Sequence, residues 1–413
     1  MQLVSNQIDI RAIIAQEQIS IYFQPILSLA KKSVIGLEAL CRGNYNNKVI
    51  MPSVLFDLAL KNGVTLDLDR LCRRKALEAF KPISEKNNDL ILFLNFDASI
   101  IDQGVVGSGH LLNTVSELGL QAEKIVIEII ESKVKDIQSL VSFIKSYRSY
   151  GFMIALDDVG TGHSNLNRIT MAKPDIFKID RSIIDHIDQD FYKQEILKSL
   201  VNLSRKIGVL VVAEGIERES EAIMGLDIGV DMLQGFYFAR PEPADKIDAG
   251  LLMPNKTYIA NKFKEYNMRK TSTRRSHKQE YAYILNEMVN ELALIAISQM
   301  DNKMQELVNR FTCLECVYIL DENGFQVSDT LFGTDKEPLN IKSIFQPAPR
   351  GSDHSMKDYY YLLLGLGQSA NYTEPYISLA SGNLCVTVST WMSNLDGIRS
   401  VLCLDICYNF GEC

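Results

Sequence analysis

Between Ile19 and Phe238 the chain repeats one pattern eight times: a short run of apolar β-formers, then a stretch with its apolar residues at helical spacing. The runs are residues 19–24, 34–40, 90–96, 124–130, 153–159, 176–180, 209–215 and 232–238. Several, such as LILFLNF, KIVIEII and VLVVAEG, are nearly continuous, which is the mark of parallel strands buried on both faces. Residues 139–150 and 193–207 read as helices that end at Gly151 and Gly208, both suited to a C-terminal cap. Eight strand-helix units of this kind predict an α/β fold closed into a TIM-type (βα)8 barrel.

A barrel of that type uses about 250 residues, so a chain of 413 has room for a smaller second domain. The expected division is residues 1–255 for the barrel, 256–312 for a basic linker and long helix, and 313–413 for the second domain. No window approaches the roughly 18 apolar residues of a membrane-crossing helix. The N-terminus, MQLVSNQIDI, lacks the charged-then-apolar order of a secretion signal, so the cytoplasm is the expected location. A net charge of −8 disfavours broad binding to a nucleic-acid polymer. The eight cysteines are expected as reduced thiols. Cys313 and Cys316 form a C-x-x-C without a second pair or a nearby histidine, so burial as small apolar residues is the better reading.

What ends each run constrains the chemistry, because in parallel α/β barrels the reactive residues sit at the carboxyl ends of the strands. The ends are polar: Gln24, Glu38, Asn95, Glu128, the pair Asp157 and Asp158, Lys178 with Asp180, Glu214 with Glu217, and Gln234. Any one of them could be a helix cap or a salt-bridge partner. Carboxylates in apolar runs are costly without counter-charge, and one lysine cannot neutralise them all. Hard divalent cations, which prefer carboxylate and amide oxygens, are the economical partner for the set.

These residues resemble the EAL-domain phosphodiesterases, whose naming motif stands here as Glu38-Ala39-Leu40. The resemblance covers roughly residues 17–252: FQPI (23–26), EALCR (38–42), LNF (94–96), EIIE (128–131), DDVGTG (157–162), KID (178–180), AEGIE (213–217) and LQGFYFARP (233–241). It implies hydrolysis of cyclic di-GMP to linear pGpG with two divalent cations, Mg²⁺ or Mn²⁺, while Ca²⁺ binds without supporting turnover. It places one cation with Glu38, Asn95, Glu128 and Asp157, and Asp157 bridges to a second held by Asp158 and Glu214. Lys178 would orient the attacking water or stabilise developing charge, which makes Lys178, Glu38, Asp157 and Asp158 the catalytic set. Gln24, Leu40, Arg42 and Pro241 fall at the nucleotide, with Asp180, Glu217 and Gln234 at the same rim. Glu131 would tie down the loop DDVGTGHSNL. Gly43, Val159 and His163-Ser164-Asn165 depart from the family pattern at a tryptophan, a phenylalanine and a Tyr-Ser-Ser, and none removes a ligand. The departures concern loop packing, so a cyclic di-GMP receptor with little or no hydrolysis is the alternative. His110, His186, His277 and His354 share no functional spacing and are expected at the surface.

Residues 256–278 carry eight basic residues against Glu265 alone and are expected as a solvated connection. From Tyr281 to Phe311 the apolar spacing predicts one long helix, free of proline and glycine, that packs on its own domain or along a partner chain. CVYILDENGFQVSDT predicts a hairpin with an Asp-Glu-Asn-Gly turn. Further strands in YTEPYISLASGNLCVTVST and GIRSVLCLDICYNF complete a small α+β domain whose order resembles PAS or Cache-like sensory modules. That resemblance implies an unidentified small ligand, and the whole chain is expected to be a homodimer.

Overall fold

The structure is a computed structural model that describes residues 8–102, 109–130, 133–161, 166–247, 256–334, 336, 346–366 and 369–408. It divides into two compact units, Met1–Asn267 and Met268–Cys413.

In the first unit ten strands form one sheet: β1 (Ile19–Ser28), β2 (Ser33–Tyr45), β3 (Lys48–Ile50), β4 (Ile91–Asn95), β5 (Ile125–Ile129), β6 (Met153–Val159), β7 (Ile176–Ile179), β8 (Leu210–Ala213), β9 (Met232–Leu233) and β10 (Glu242–Pro243). The order β10-β1-β9-β8-β7-β6-β5-β4-β2-β3, with β1 also paired to β2, closes eight strands into a barrel. Around the barrel from β2 to β9 each neighbouring pair is parallel. The first strand corrects the expectation of uniform parallel pairing, because β1 runs antiparallel to both β2 and β9. A parallel crossover needs a dozen or more residues, and only four separate β1 from β2, so this step is a hairpin.

The barrel interior is built in two layers two residues apart along the strands. Ile26, Phe93, Val126, Ala155, Ile176, Val212 and Met232 form a closed apolar cluster. Each has a polar partner on the same side of its strand: Gln24, Asn95, Glu128, Asp157, Lys178, Glu214 and Gln234. On antiparallel β1 the polar residue precedes the apolar one, which brings Gln24 opposite Glu38 in the register. On β2 the apolar position is Gly36, where an added Cβ would lie 2.6 Å from the Phe93 ring. Phe93 therefore fills the space of two side chains.

The second unit holds a six-stranded antiparallel sheet with β11 (Leu314–Leu320), β12 (Leu331–Phe332), β13 (Ala370–Tyr372), β14 (Tyr376–Ile377), β15 (Leu384–Ser393) and β16 (Arg399–Cys407), in the order β12-β11-β16-β15-β13 with β14 on β15. The predicted turn is present, with Gly324 at φ 88° and its N–H donating to Asp321 O. Its second strand is not: only an isolated bridge joins Leu320 to Gln326 before the chain turns away toward Ser352.

Residues 256–278, expected as a solvated connection, are mostly exposed and helical, part of the helix Lys256–Leu292, since long-chain basic residues are good helix formers and no glycine or proline interrupts them. Two further expectations are corrected here. The single helix expected from Tyr281 to Phe311 stops at Leu292 and resumes at Met300–Arg310. The β15–β16 turn bonds the break: Ile297 N–H donates to Asp396 Oδ2 at 2.8 Å, and Leu395 N–H to Ile295 O at 3.3 Å. His354, expected at the surface, is buried with its Nδ1 2.7 Å from Tyr359 Oη. Among the described residues no helix is long and apolar enough to cross a membrane.

Candidate active site

The polar layer of the barrel converges on one ammonium group. Lys178 Nζ lies 2.6 Å from Glu128 Oε1, 2.6 Å from Glu214 Oε1, 3.4 Å from Asp157 Oδ1 and 3.7 Å from Glu38 Oε1. Strand period explains the convergence, because β2, β5, β6 and β7 each aim one polar side chain inward at the same level, and Glu214 follows directly on the end of β8. Two amides hold the glutamate of the β2 motif from opposite sides: Asn95 Nδ2 donates to Glu38 Oε1 at 3.0 Å, and Gln234 Nε2 to Glu38 Oε2 at 2.6 Å. Gln234 Nε2 also reaches Gln24 Oε1 at 3.2 Å, and Gln24 Nε2 donates to Ala239 O at 3.1 Å. Gly235 lets the chain turn tightly after Gln234, since a Cβ there would lie 2.0 Å from Ile216 O.

Burial and mutual repulsion dominate the electrostatics. Burial raises the Glu128 carboxyl well above the usual range, and the charges of Glu38, Asp157 and Glu214 add to the rise against the pull of Lys178. Burial also lifts Glu214, to about 8. Burial opposes charge on Lys178, but Asp157, Glu128, Glu214 and Glu38 together outweigh it and hold the ammonium well above an ordinary lysine. Asp158 is raised by burial and then by Asp157 and Asp180. It sits at φ 57°, where the β6–β7 register shifts, so a bulge re-aims it away from the strict alternation of the strand.

The donor set fits a hard cation. Glu128 Oε2 and Gln234 Oε1 are buried with no hydrogen-bond partner, while Glu128 Oε1, Asp157 Oδ1 and Glu214 Oε1 face Lys178 at ion-pair range without a well-formed hydrogen bond. As the side chains stand, no group of three or more His, Cys, Asp or Glu among the described residues is arranged to hold a metal. The carboxylates point at Lys178 Nζ, and this ammonium takes the central position of positive charge.

Of the other residues expected at the site, Asp180 caps the short helix Arg181–Ile184, its Oδ1 accepting from Ser182 N–H at 2.9 Å. Glu217 is exposed and paired with Arg181 at 2.6 Å. Arg42 donates to Cys41 O at 2.8 Å and lies over the Tyr22 ring at 5.5 Å, and Pro241 is half-buried just before β10. Glu131 and His163-Ser164-Asn165 lie outside the described residues. A cavity of about 590 Å³ opens beside the cluster, lined by Glu38, Asn95 and Glu128 and, farther out, by Leu40, Phe56 and Asp57.

Its wall also includes a buried ion pair that sequence reasoning missed, Asp69 with Arg73 (Nε to Oδ2, 2.8 Å). Asp69 also accepts Asp97 N–H at 3.2 Å, and the Arg73 guanidinium lies 4.3 Å from the centre of the Phe96 ring. The available signal was an Asp and an Arg four apart on the apolar side of the helix Thr65–Lys86, beside Leu68 and Cys72.

Comparison with known proteins points the same way. The model of the EAL domain matches residues 8–241. An uncharacterized EAL-domain containing protein of Bacillus subtilis, YkuI, is 26% identical over 399 residues, 94% of each chain. Its crystal structure, in complex with cyclic di-GMP and calcium, superposes with a TM-score of 0.79 over 98% of this chain and all of that one. The cyclic di-GMP phosphodiesterase NbdA of Pseudomonas aeruginosa is 27% identical over 57% of this chain and 30% of its own length. BlrP1 of Klebsiella pneumoniae, in a complex with manganese and cyclic di-GMP, matches at 27% identity and a TM-score of 0.51 over 55% of this chain and 56% of that one. The matched stretch contains every residue gathered around Lys178, and by that match the chain belongs to the EAL-domain family.

Proposed function

We propose that this chain hydrolyses cyclic di-GMP to linear pGpG. The observation that carries the reading is the ring of Glu38, Glu128, Asp157 and Glu214 around one lysine at the mouth of a barrel, beside a cavity large enough for a nucleotide. Water adds its oxygen to phosphorus, one P–O ester bond breaks, and the proton lost by the water ends on the leaving ribose oxygen. Glu38, Asn95, Glu128 and Asp157 would hold one divalent cation, and Asp157, Asp158 and Glu214 a second. When bound, such ions polarise the phosphoryl group and make water a nucleophile near neutral pH. The chain's own residues orient and balance: Asn95 and Gln234 fix both oxygens of Glu38, and Lys178 places a full positive charge where the attacked phosphate gains negative charge. Leu40 and Arg42 would meet the nucleotide.

One observation favours a second reading, a cyclic di-GMP receptor with little turnover: the chain departs from the family pattern at Gly43, Val159 and His163-Ser164-Asn165 while keeping every residue of the ring. Incubation of the purified chain with cyclic di-GMP and Mn²⁺, followed by chromatography, separates the two. Appearance of pGpG supports hydrolysis; ligand retained unchanged over many hours supports the receptor. We also propose that the second unit is a PAS/Cache-like sensory module regulating the barrel and that the chain is a homodimer, which light scattering tests directly.

A further inference from the structure

The sheet of the second unit contains one residue that breaks its own pattern. Along β16 the side chains alternate between two buried faces: Leu402, Leu404 and Ile406 join one apolar cluster, and Val401 and Cys403 join another with Tyr359 and Leu363. The next position on that second face is Asp405, only 3% exposed. Its Oδ1 accepts from Thr387 Oγ1 at 2.7 Å and its Oδ2 from Ser378 Oγ at 3.4 Å. Among the described residues no cationic side chain is paired with it, and burial raises its carboxyl to about 6.

Asp405 borders a cavity of about 570 Å³ that Tyr318, Tyr359, Tyr376, His354 and Gln326 also line. Gln326 is 1% exposed, and its Nε2 donates to Ser328 O at 3.0 Å, Ala348 O at 3.0 Å and Thr330 Oγ1 at 2.9 Å. Two of those partners are carbonyls, which fixes the amide orientation and leaves Oε1 as a buried acceptor with no donor. His354 Nε2 is also buried without a partner, while Nδ1 meets the Tyr359 hydroxyl. With the proton on Nδ1, Nε2 becomes a third acceptor. The cavity thus presents a carboxylate without an ion-pair partner, an unmet acceptor at Gln326 Oε1, an unpartnered ring nitrogen at His354 Nε2 and several aromatic rings, with the Tyr318 and His354 rings 5.5 Å apart. A buried charge and orphaned acceptors are costly when left unpaired, and aromatic faces attract cations.

We propose that this cavity is the binding site of a small organic ammonium, a primary amine whose –NH₃⁺ donates to Asp405 and Gln326 Oε1 while its carbon body rests on Tyr318, Tyr359 and Tyr376. A primary ammonium supplies three N–H donors and one positive charge, which Asp405 and Gln326 Oε1 lack; Lys357 also lines the cavity, acts on His354 and forms no ion pair with Asp405 among the described residues. The site is independent of the cyclic di-GMP reading of the barrel.

Thermal unfolding of the full chain tests it with n-butylamine and tyramine against their uncharged and anionic counterparts, n-butanol, 4-ethylphenol and n-butyrate. An amine at about 100 times its Kd should raise the melting temperature of the second unit by about 5 °C or more, with no comparable response to the counterparts. Asp405→Asn keeps an acceptor for Thr387 and removes the charge, so it should lose the amine response. Equal shifts from amines and alcohols, the absence of any amine shift, or an unchanged response in Asp405→Asn would each overturn the proposal. Should that variant fail to fold, the comparison of amines with their counterparts on the unmodified chain decides alone.

Discussion

Both units bury carboxylates at inward positions of their strands, and they neutralise them differently. In the barrel Glu38, Glu128, Asp157 and Glu214 share the Lys178 ammonium, so positive charge is supplied from within the chain. In the second unit Asp405 is surrounded by hydroxyls and aromatic rings, and no cation of the described chain meets it. A site that carries its own counter-ion can stay folded while empty and exchange that ion for another. A site without one must hold a proton or wait for a ligand. Under the two proposals, cation exchange would belong to the barrel and cation capture to the smaller unit.

The sharpest test of the barrel side is Asp157→Ala, which should lower cyclic di-GMP hydrolysis by about 10³-fold or more without destabilising the metal-free protein, since one of several repelling carboxylates is removed. Near-normal turnover in that variant would dissolve the proposed two-cation assignment. Lys178→Met should cost about 3–5 kcal/mol of stability in metal-free buffer, because it strands the carboxylates. Mn²⁺ should return much of that loss, and melting curves with and without the ion check both statements. Unchanged stability would mean that the lysine is not the internal counter-ion.

On the other side, Asp405 has a folded pKa raised from 3.8 to about 6. The stabilisation tied to its protonated form is therefore complete below about pH 4 and lost as the pH rises through 6, on the order of 3 kcal/mol in all. Asp405→Asn should not show this loss, so the stability difference between the two proteins should change across that window. Denaturant titrations at pH 4.5 and 8 read it, and parallel pH curves would refute it. Glu315, Cys316, Cys385, Tyr318 and Tyr376 also face this carboxylate and are present in both proteins. The smallest effect is expected at Gly36→Ala, which sets a methyl 2.6 Å from the Phe93 ring beneath the polar layer. Overpacking there should cost about 1–3 kcal/mol and reduce hydrolysis by disturbing Glu38 two residues away; a variant as stable as the parent would show that Phe93 has room to move.

The sequence displays the polar layer because strand period is local. Once a run is recognised as a buried strand, its polar end is visible, as at Glu128 and Asp157. Strand direction is not local, and Gln24 reaches the cluster from an antiparallel strand whose orientation only the short gap before β2 discloses. The break after Leu292 was hidden for a similar reason, since its hydrogen-bond partners at Leu395 and Asp396 lie about a hundred residues later. Asp405 could have been singled out as an acid inside VLCLDIC, but an acid in one strand carries no sign of the hydroxyls and rings that neighbouring elements bring to it. His354 looked exposed because SDHSMKD is polar, and tertiary packing placed it otherwise.

The amide that seats Glu38 comes from Gln234, 196 residues farther along. A ribosome finishes the glutamate early and its clasp late, and β1 gains its β9 neighbour only through Leu27 and Leu233. During synthesis most of the acidic side chains are made before the strand that closes the ring, so the nascent barrel remains an unfinished circle. A chain cut short before that point keeps every charged residue gathered around Lys178 but loses one of the two amides that seat the glutamate of its motif.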